Sequence, residues 1–234
     1  MQRIRAVTLD LDDTLWDIAP VIRRAESELW EWLTQNYPRI PQRVSRETLL
    51  AMRAGIFEEH PDRSHDFRFL RKQVLAKVAV MSGYTTELVE PAFDVFDRAR
   101  NQVEFFPDVI PVLEALTTRF RLIAVTNGNA SLQKIGIRHL FYDVVTAVDA
   151  GAAKPARPIF DEAIRRSGVE RGQILHVGDH PENDVQGARD AGMKSAWMNR
   201  SGGDWPVNLC HPDAVVTTMT ELQDLLIGSF AGKS

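Results

Sequence analysis

The stretch TLDLDDTLWD, Thr8 to Asp17, places four carboxylates in ten residues, and Asp10, Asp12 and Asp13 fall within four positions. They close an apolar run, Ile4 to Leu11. A buried strand has no structural use for clustered like charges, because each destabilises its neighbour's ionised form. In open parallel sheets, ligands bind beyond the carboxyl ends of the strands. The stretch therefore reads as a strand whose end carries chemistry.

The rest of the chain supplies such a sheet. From Phe106 onward, β-like and helical segments alternate. Val109–Thr118 has a helical period, RLIAVTNG (121–128) is a buried strand ending in a turn, and YDVVTAVD (142–149) is another strand. Residues 158–168 form a helix closed by Gly168, 173–179 a strand, and 184–192 a helix closed by Gly192. KSAWMN and AVVTTM are short strands, and Thr220 with Gln223 forms a capping box for a last helix. Strands alternating with helices imply a parallel sheet covered on both faces, a Rossmann-like α/β core.

Residues 17–103 differ. Ile22, Ala25, Leu29, Trp32 and Leu33 recur at helical spacing, as do Phe67, Leu70, Val74, Val78 and Met81. A third helical pattern runs through TTELVEPAFDVFDRARNQV, which Pro91 starts or kinks. The expected organisation is a core of residues 1–16 and 104–234 with an inserted α-helical bundle cap, 17–103.

The chain has 234 residues, 44% hydrophobic and 26% charged, with a formal net charge of -4 and a pI of about 5.9. That balance gives no reason to expect nucleic acid. No apolar stretch reaches the ~18 residues a membrane helix needs. The opening MQRIRAVTLDLDDTLW lacks a signal-peptide core, and the single cysteine, Cys210, excludes an intrachain disulfide. A cytoplasmic protein is expected.

Read at their ends, the strands gather one set of polar groups. The first ends in Asp10-Leu11-Asp12-Asp13-Thr14, the next in Thr126-Asn127-Gly128; Lys154 follows the third, and Gly178-Asp179 ends the fourth, with Asp184 five residues on. Asp10, Asp12, Asp179 and Asp184 together would carry four negative charges. They stay ionised only with cations beside them. Lys154 is one, and a hard divalent cation with oxygen ligands, best matched by Mg²⁺, is another. Mg²⁺ shared between carboxylates and substrate oxygens calls for an anionic substrate, and phosphate fits. Thr126, with the amides near Asn127 and Gly128, can hold phosphate oxygens.

Asp10-x-Asp12-x-Thr14, strand-end Thr126, Lys154 and Gly178-Asp179-x-x-x-x-Asp184 resemble, in order and in context, the four motifs of the haloacid dehalogenase-like hydrolase superfamily. The insert resembles the helical cap of its first subclass. The resemblance implies a Mg²⁺-dependent phosphatase acting on a small phosphorylated metabolite. Asp10 would be the nucleophile, forming an aspartyl-phosphate, and Asp12 the general acid–base. The metal would be held by Asp10, the Asp12 carbonyl and Asp179, with Asp184 in the outer shell. Thr126 and Lys154 would stabilise phosphoryl oxygens, Lys154 also orienting Asp10. Dehalogenases of the superfamily lack the second aspartate of the first motif and use no metal, so Asp12, Asp179 and Asp184 argue for the phosphatase branch. One departure is that Ala156-Arg157 stand before Pro158 where an acidic residue and proline usually follow Lys-Pro. LDLDDTLWD-x-x-P-V-I, Thr126-Asn127-Gly128-Asn129-Ala130 and ILHVGD are similar to bacterial phosphatases of flavin mononucleotide and 5-amino-6-(5-phosphoribitylamino)uracil, which implies a place in riboflavin biosynthesis.

Other residues have competing readings. Asp13 suits a structural acceptor. His176 and His180 have a spacing that binds zinc on a helix, but a strand end separates them; His180 could line the site mouth. Trp16 faces either the cap or a substrate. Arg63, His65, Phe67, Arg68 and Arg71 are either a solvated face or a basic–aromatic surface for a ring-bearing substrate, so Trp16 and Arg68 stand as substrate-binding candidates alongside Thr126, Asn127, Gly128 and Lys154.

Overall fold

β1 (Ala6–Leu9) is buried along its whole length. This strand opens the fold in a computed structural model that describes residues 3–231. After the acidic stretch the chain enters, at Ile18, a separate compact unit that ends at Val103. The unit is helical throughout: α1 (Ile18–Asn36), α2 (Arg39–Arg43), α3 (Arg46–Glu59), α4 (Phe67–Met81) and α5 (Val89–Arg100), joined by short turns. α1 buries Val21, Ala25, Leu29 and Leu33, one stripe at i, i+4 spacing. α4 buries Leu70, Val74, Leu75, Val78 and Ala79. Phe67 and Met81, expected on that stripe, are each 45% exposed because they are the helix's first and last residues. Ser45 and Asp66 cap α3 and α4 by accepting the amides of Thr48 and Phe69. Pro91 sits in the first turn of α5, where its missing N–H costs nothing.

The second unit comprises the chain up to Asp17 and from Glu104 onward. Its later elements are α6 (Val109–Thr117), β2 (Arg121–Thr126), α7 (Leu132–Ile135), β3 (Asp143–Thr146), α8 (Ala147–Ala150), α9 (Arg157–Ser167), β4 (Ile174–Gly178), α10 (Gly187–Asp190), β5 (Lys194–Met198), β6 (Ala214–Val216) and α11 (Met219–Ala231). The six strands form one sheet in the order β3-β2-β1-β4-β5-β6. Every pairing is parallel. The fold is α/β and Rossmann-like. β1 lies between β2 and β4, where the strand order reverses, and that crevice is where such sheets bind ligands. Ala6, Ile123, Val125, Val145, Ile159, Phe160 and Ile174 form a core shared by the sheet and α9.

Three local expectations change. The strand expected over 142–149 stops at Thr146, where a capping box with Asp149 starts α8. The helix expected over 184–192 begins instead as a π-type turn, Pro181–Gln186, before α10. His180 causes this by accepting the amides of Glu182 and Asn183 on its own Nδ1, ahead of Pro181. The last helix starts before Thr220: Thr218 Oγ1 accepts the Glu221 amide, and Glu221 in turn accepts from Thr217 N. No described helix is long and apolar enough to cross a membrane.

Candidate active site

The carboxyl edge of the sheet converges on Lys154. Its side chain is buried, and Nζ donates to Asp10 Oδ1 at 2.5 Å and to Asp184 Oδ1 at 2.6 Å. Asp10 follows β1 directly, and its amide donates to the Val177 carbonyl of β4. Asp179 follows β4, so the two carboxylates flank the switch point. Asp184 reaches this edge because residue 178 is glycine: a Cβ there would lie 2.2 Å from Asp184 Cγ. Oδ2 of Asp184 accepts the His180 amide at 3.0 Å.

Lys154 is itself held by Asn127, whose Oδ1 accepts the Lys154 amide (2.6 Å) and whose Nδ2 donates to the Lys154 carbonyl (3.0 Å). Asn127 thus braces the lysine loop with its side chain. The Gly128 amide, expected to be turned to phosphate, donates instead to Thr126 Oγ1 at 2.9 Å. That bond uses the hydroxyl as an acceptor, and the hydroxyl proton remains the donor Thr126 can offer an anion.

Asp10, Asp179 and Asp184 each place an oxygen within 4.8 Å of the other two. The Asp12 carboxylate is outside that group and accepts from Trp16 Nε1 at 2.9 Å. Burial pushes Asp10 well above the ordinary carboxylate range; Lys154 pulls it down, and Asp184 pushes it up. Burial, then Asp184 and Asp13, raise Asp179 to about 7. Burial would raise Asp184 too, but Lys154 and His176 outweigh it and hold it low. Burial would lower Lys154, but Asp10 and Asp184 outweigh it and keep it charged. One lysine therefore balances one of the three carboxylates. The other two are short of positive charge, and all their donor atoms are hard oxygens, a set suited to Mg²⁺.

Three residues with no assigned role in the sequence reading complete the site. His176, in mid-β4 and fully buried, bridges Thr8 Oγ1 (2.8 Å, Nδ1) and Asp184 Oδ1 (3.1 Å, Nε2). Burial lowers its pKa. Trp197 Nε1 donates to the Asp179 carbonyl at 2.7 Å. Thr8 and His176 had a signal, being polar residues inside otherwise apolar strands. Trp197 had none, since only sheet order brings β5 beside the end of β4.

Other candidates fall differently. Asp13 adopts φ +62°, a left-handed turn that aspartate tolerates. The His176–His180 pair forms no metal site: His176 braces Asp184, and His180 caps the π-type turn. Trp16 is fully buried. In the helical unit the arginines sit on phenylalanine faces: Arg63 over Phe69, Arg68 over Phe93 and Arg71 over Phe96. Each also has a carboxylate partner, Asp66, Asp97 and Glu26 respectively. Arg68 keeps half of its side chain exposed.

Residues 4–192 match the family description "haloacid dehalogenase-like hydrolase". The chain is 31% identical to a 5-amino-6-(5-phospho-D-ribitylamino)uracil phosphatase of Escherichia coli, over 96% of this chain and 97% of that one. It is 28% identical to an N-acylneuraminate-9-phosphatase of Rattus norvegicus, over 97% and 95% of the two chains. A crystal structure described as a 2-haloacid dehalogenase from Pseudomonas syringae superposes with a TM-score of 0.91 at 38% identity, covering 97% of this chain and 99% of that one.

Proposed function

The chain belongs to the haloacid dehalogenase-like hydrolases and is a phosphatase of that family, and from that premise we propose that it hydrolyses a ribityl or flavin phosphate monoester with Mg²⁺. The observation that carries the metal and the mechanism is the charge imbalance around Lys154: three carboxylates within 4.8 Å, two of them pushed upward by burial and by the neighbouring carboxylates. Asp10 and Asp179 would hold the ion, with Asp184 behind them. When bound, it would supply the positive charge that keeps Asp10 ionised beside an anionic substrate.

Asp10 Oδ1 is fixed by Lys154, which leaves Oδ2 to attack phosphorus. A new O–P bond forms as the ester P–O bond breaks, and the departing alkoxide takes a proton from Asp12. Lys154 Nζ and the Thr126 hydroxyl stabilise the charge on the phosphoryl oxygens. Asp12, now ionised, takes a proton from the water that attacks the aspartyl-phosphate. Phosphate leaves, and both carboxylates return to their starting states.

The substrate class is supported by the ribitylamino-uracil phosphatase of E. coli, similar over nearly the full length of both chains. A panel of phosphate monoesters assayed with Mg²⁺ tests it. The expected result is that flavin mononucleotide or the ribityl phosphate gives the highest kcat/KM. A preference for phosphoglycolate, or halide release from 2-chloropropionate after chelation, would refute it.

A further inference from the structure

Trp16 is a large, fully buried side chain six residues past the nucleophile, and the one polar atom of its indole is aimed at Asp12. We propose that Trp16 is a positioning residue for Asp12, holding the acid–base carboxylate through its indole N–H. The proposal rests on the reading of Asp12 as the general acid–base.

A buried indole N–H requires an acceptor. Here it is Asp12 Oδ1 at 2.9 Å, on a residue that is itself only half-buried. The indole cannot drift, because it is tied by backbone and packing alike. Asp13 N donates to Trp16 O at 2.8 Å, closing the turn made possible by the positive φ of Asp13. Leu15 N donates to Leu11 O at 2.8 Å, and Phe106 N to Leu15 O at 3.1 Å. The Trp16 ring meets Phe105 edge to face, centroids 5.7 Å apart and planes at 74°. Bridges join Trp16 to Asp12 on one side and to Phe105 on the other. A carboxylate that moves protons in two successive steps must return to one place. A misplacement of about 1 Å costs on the order of 100-fold in rate. A rigid donor four residues downstream supplies that constancy.

A residue that only fills the core would affect all substrates alike, whereas one that positions a general acid would not. An alkoxide leaving group must be protonated, and p-nitrophenolate leaves with little such help. The experiment compares kcat/KM, which reports phosphoryl transfer to Asp10, for flavin mononucleotide and p-nitrophenyl phosphate with Mg²⁺ present. Trp16→Phe keeps an aromatic ring and removes the N–H. It should lower kcat/KM for the alkyl phosphate about 10- to 100-fold, and for the aryl phosphate at least tenfold less. Incorporating 3-benzothienylalanine at position 16, which keeps both rings and replaces N–H by sulfur, should give the same split if Trp16→Phe folds poorly. Phe105→Leu loosens the packing yet keeps the donor, and should lower both substrates in equal proportion. Equal losses for the two substrates in either position-16 variant, or no loss for the alkyl phosphate, would overturn the proposal. A wild-type enzyme that hydrolyses neither phosphate would instead overturn the phosphatase mechanism on which it stands.

Discussion

Lys154→Met removes the ammonium that Asp10 and Asp184 share while keeping much of the side chain's volume. In the metal-free protein the change leaves Asp10 and Asp184 buried without the ammonium that both contact, at 2.5 and 2.6 Å. Stripping one partner from a buried ion pair costs about 3–5 kcal/mol. Protonation sets a ceiling on that cost. A carboxylate with an ordinary pKa of 3.8 can be neutralised for about 6 kcal/mol at pH 8 and only about 2 kcal/mol at pH 5, at 1.36 kcal/mol per unit. The expected destabilisation is therefore about 3–5 kcal/mol at pH 8 and smaller at pH 5, where each carboxylate is neutralised at lower cost.

The sign follows from linkage. In the wild type the depressed Asp184 contributes stability that is present above its unfolded value and lost only as pH falls toward the lower folded one. Its contribution is thus constant between pH 5 and 8. In the variant the same carboxylate has a raised pKa, so its folded state holds more protons than the unfolded one, and stability falls as pH rises. The gap between the proteins must widen from pH 5 to pH 8. Thermal melts in EDTA at the two pH values measure it, and for a chain of this size the pH 8 difference corresponds to about 10 °C. Coincident melts at pH 8, or a gap that is larger at pH 5, would refute the reasoning.

Asp10→Asn should abolish turnover while leaving the fold intact, and Asp12→Asn should slow phosphorylation and hydrolysis of Asp10 by roughly 100- to 10,000-fold; steady-state and single-turnover assays check both. Because Asp179 titrates near 7 before metal arrives, protons compete with Mg²⁺ for it. The metal dissociation constant measured by calorimetry should fall at least about tenfold per pH unit up to about pH 7 and less steeply above it, whereas a flat profile would count against Asp179 as a ligand. Arg68→Ala should impair flavin mononucleotide hydrolysis far more than p-nitrophenyl phosphate hydrolysis; equal losses would assign Arg68 to support of the helical unit through Asp97 and Phe93.

The strands of the core were legible because a buried parallel strand is a short apolar run, and each of the six runs contains a strand, although the run over 142–149 turns into α8 after Thr146. The acidic motif, Thr126, Lys154 and Gly178-Asp179 were legible because sheet topology obliges strand ends to meet. What escaped was set by contacts distant in sequence. The Asn127 side chain braces Lys154 from 27 residues away, a pairing that no spacing in the sequence announces. Trp16, beside a catalytic loop, reads as facing the cap or a substrate, and its indole N–H bond to Asp12 carries no mark in the sequence. The periodicity of α4 correctly named its buried middle yet overreached to Phe67 and Met81, since a helical stripe carries no mark of where packing stops.

The likeness to a structure described as a haloacid dehalogenase is close in fold and sequence, so the choice of chemistry must come from the residues. Halide leaves without a proton, and a dehalogenase has no work for Asp12 two residues past its nucleophile. The stronger argument is electrostatic. In a reaction run without metal, Asp179 would be pure cost: a third carboxylate beside Asp10 and Asp184 that Lys154 cannot also balance. Burial already raises Asp10, and a protonated carboxyl is no nucleophile. Crowding acids around it helps only if a further cation joins them, and such a cation assists a reaction in which negative charge must be brought to Asp10. A phosphate monoester brings that charge and an alkoxide to be protonated, so the same substrate accounts for Asp179, Asp184 and Asp12 together.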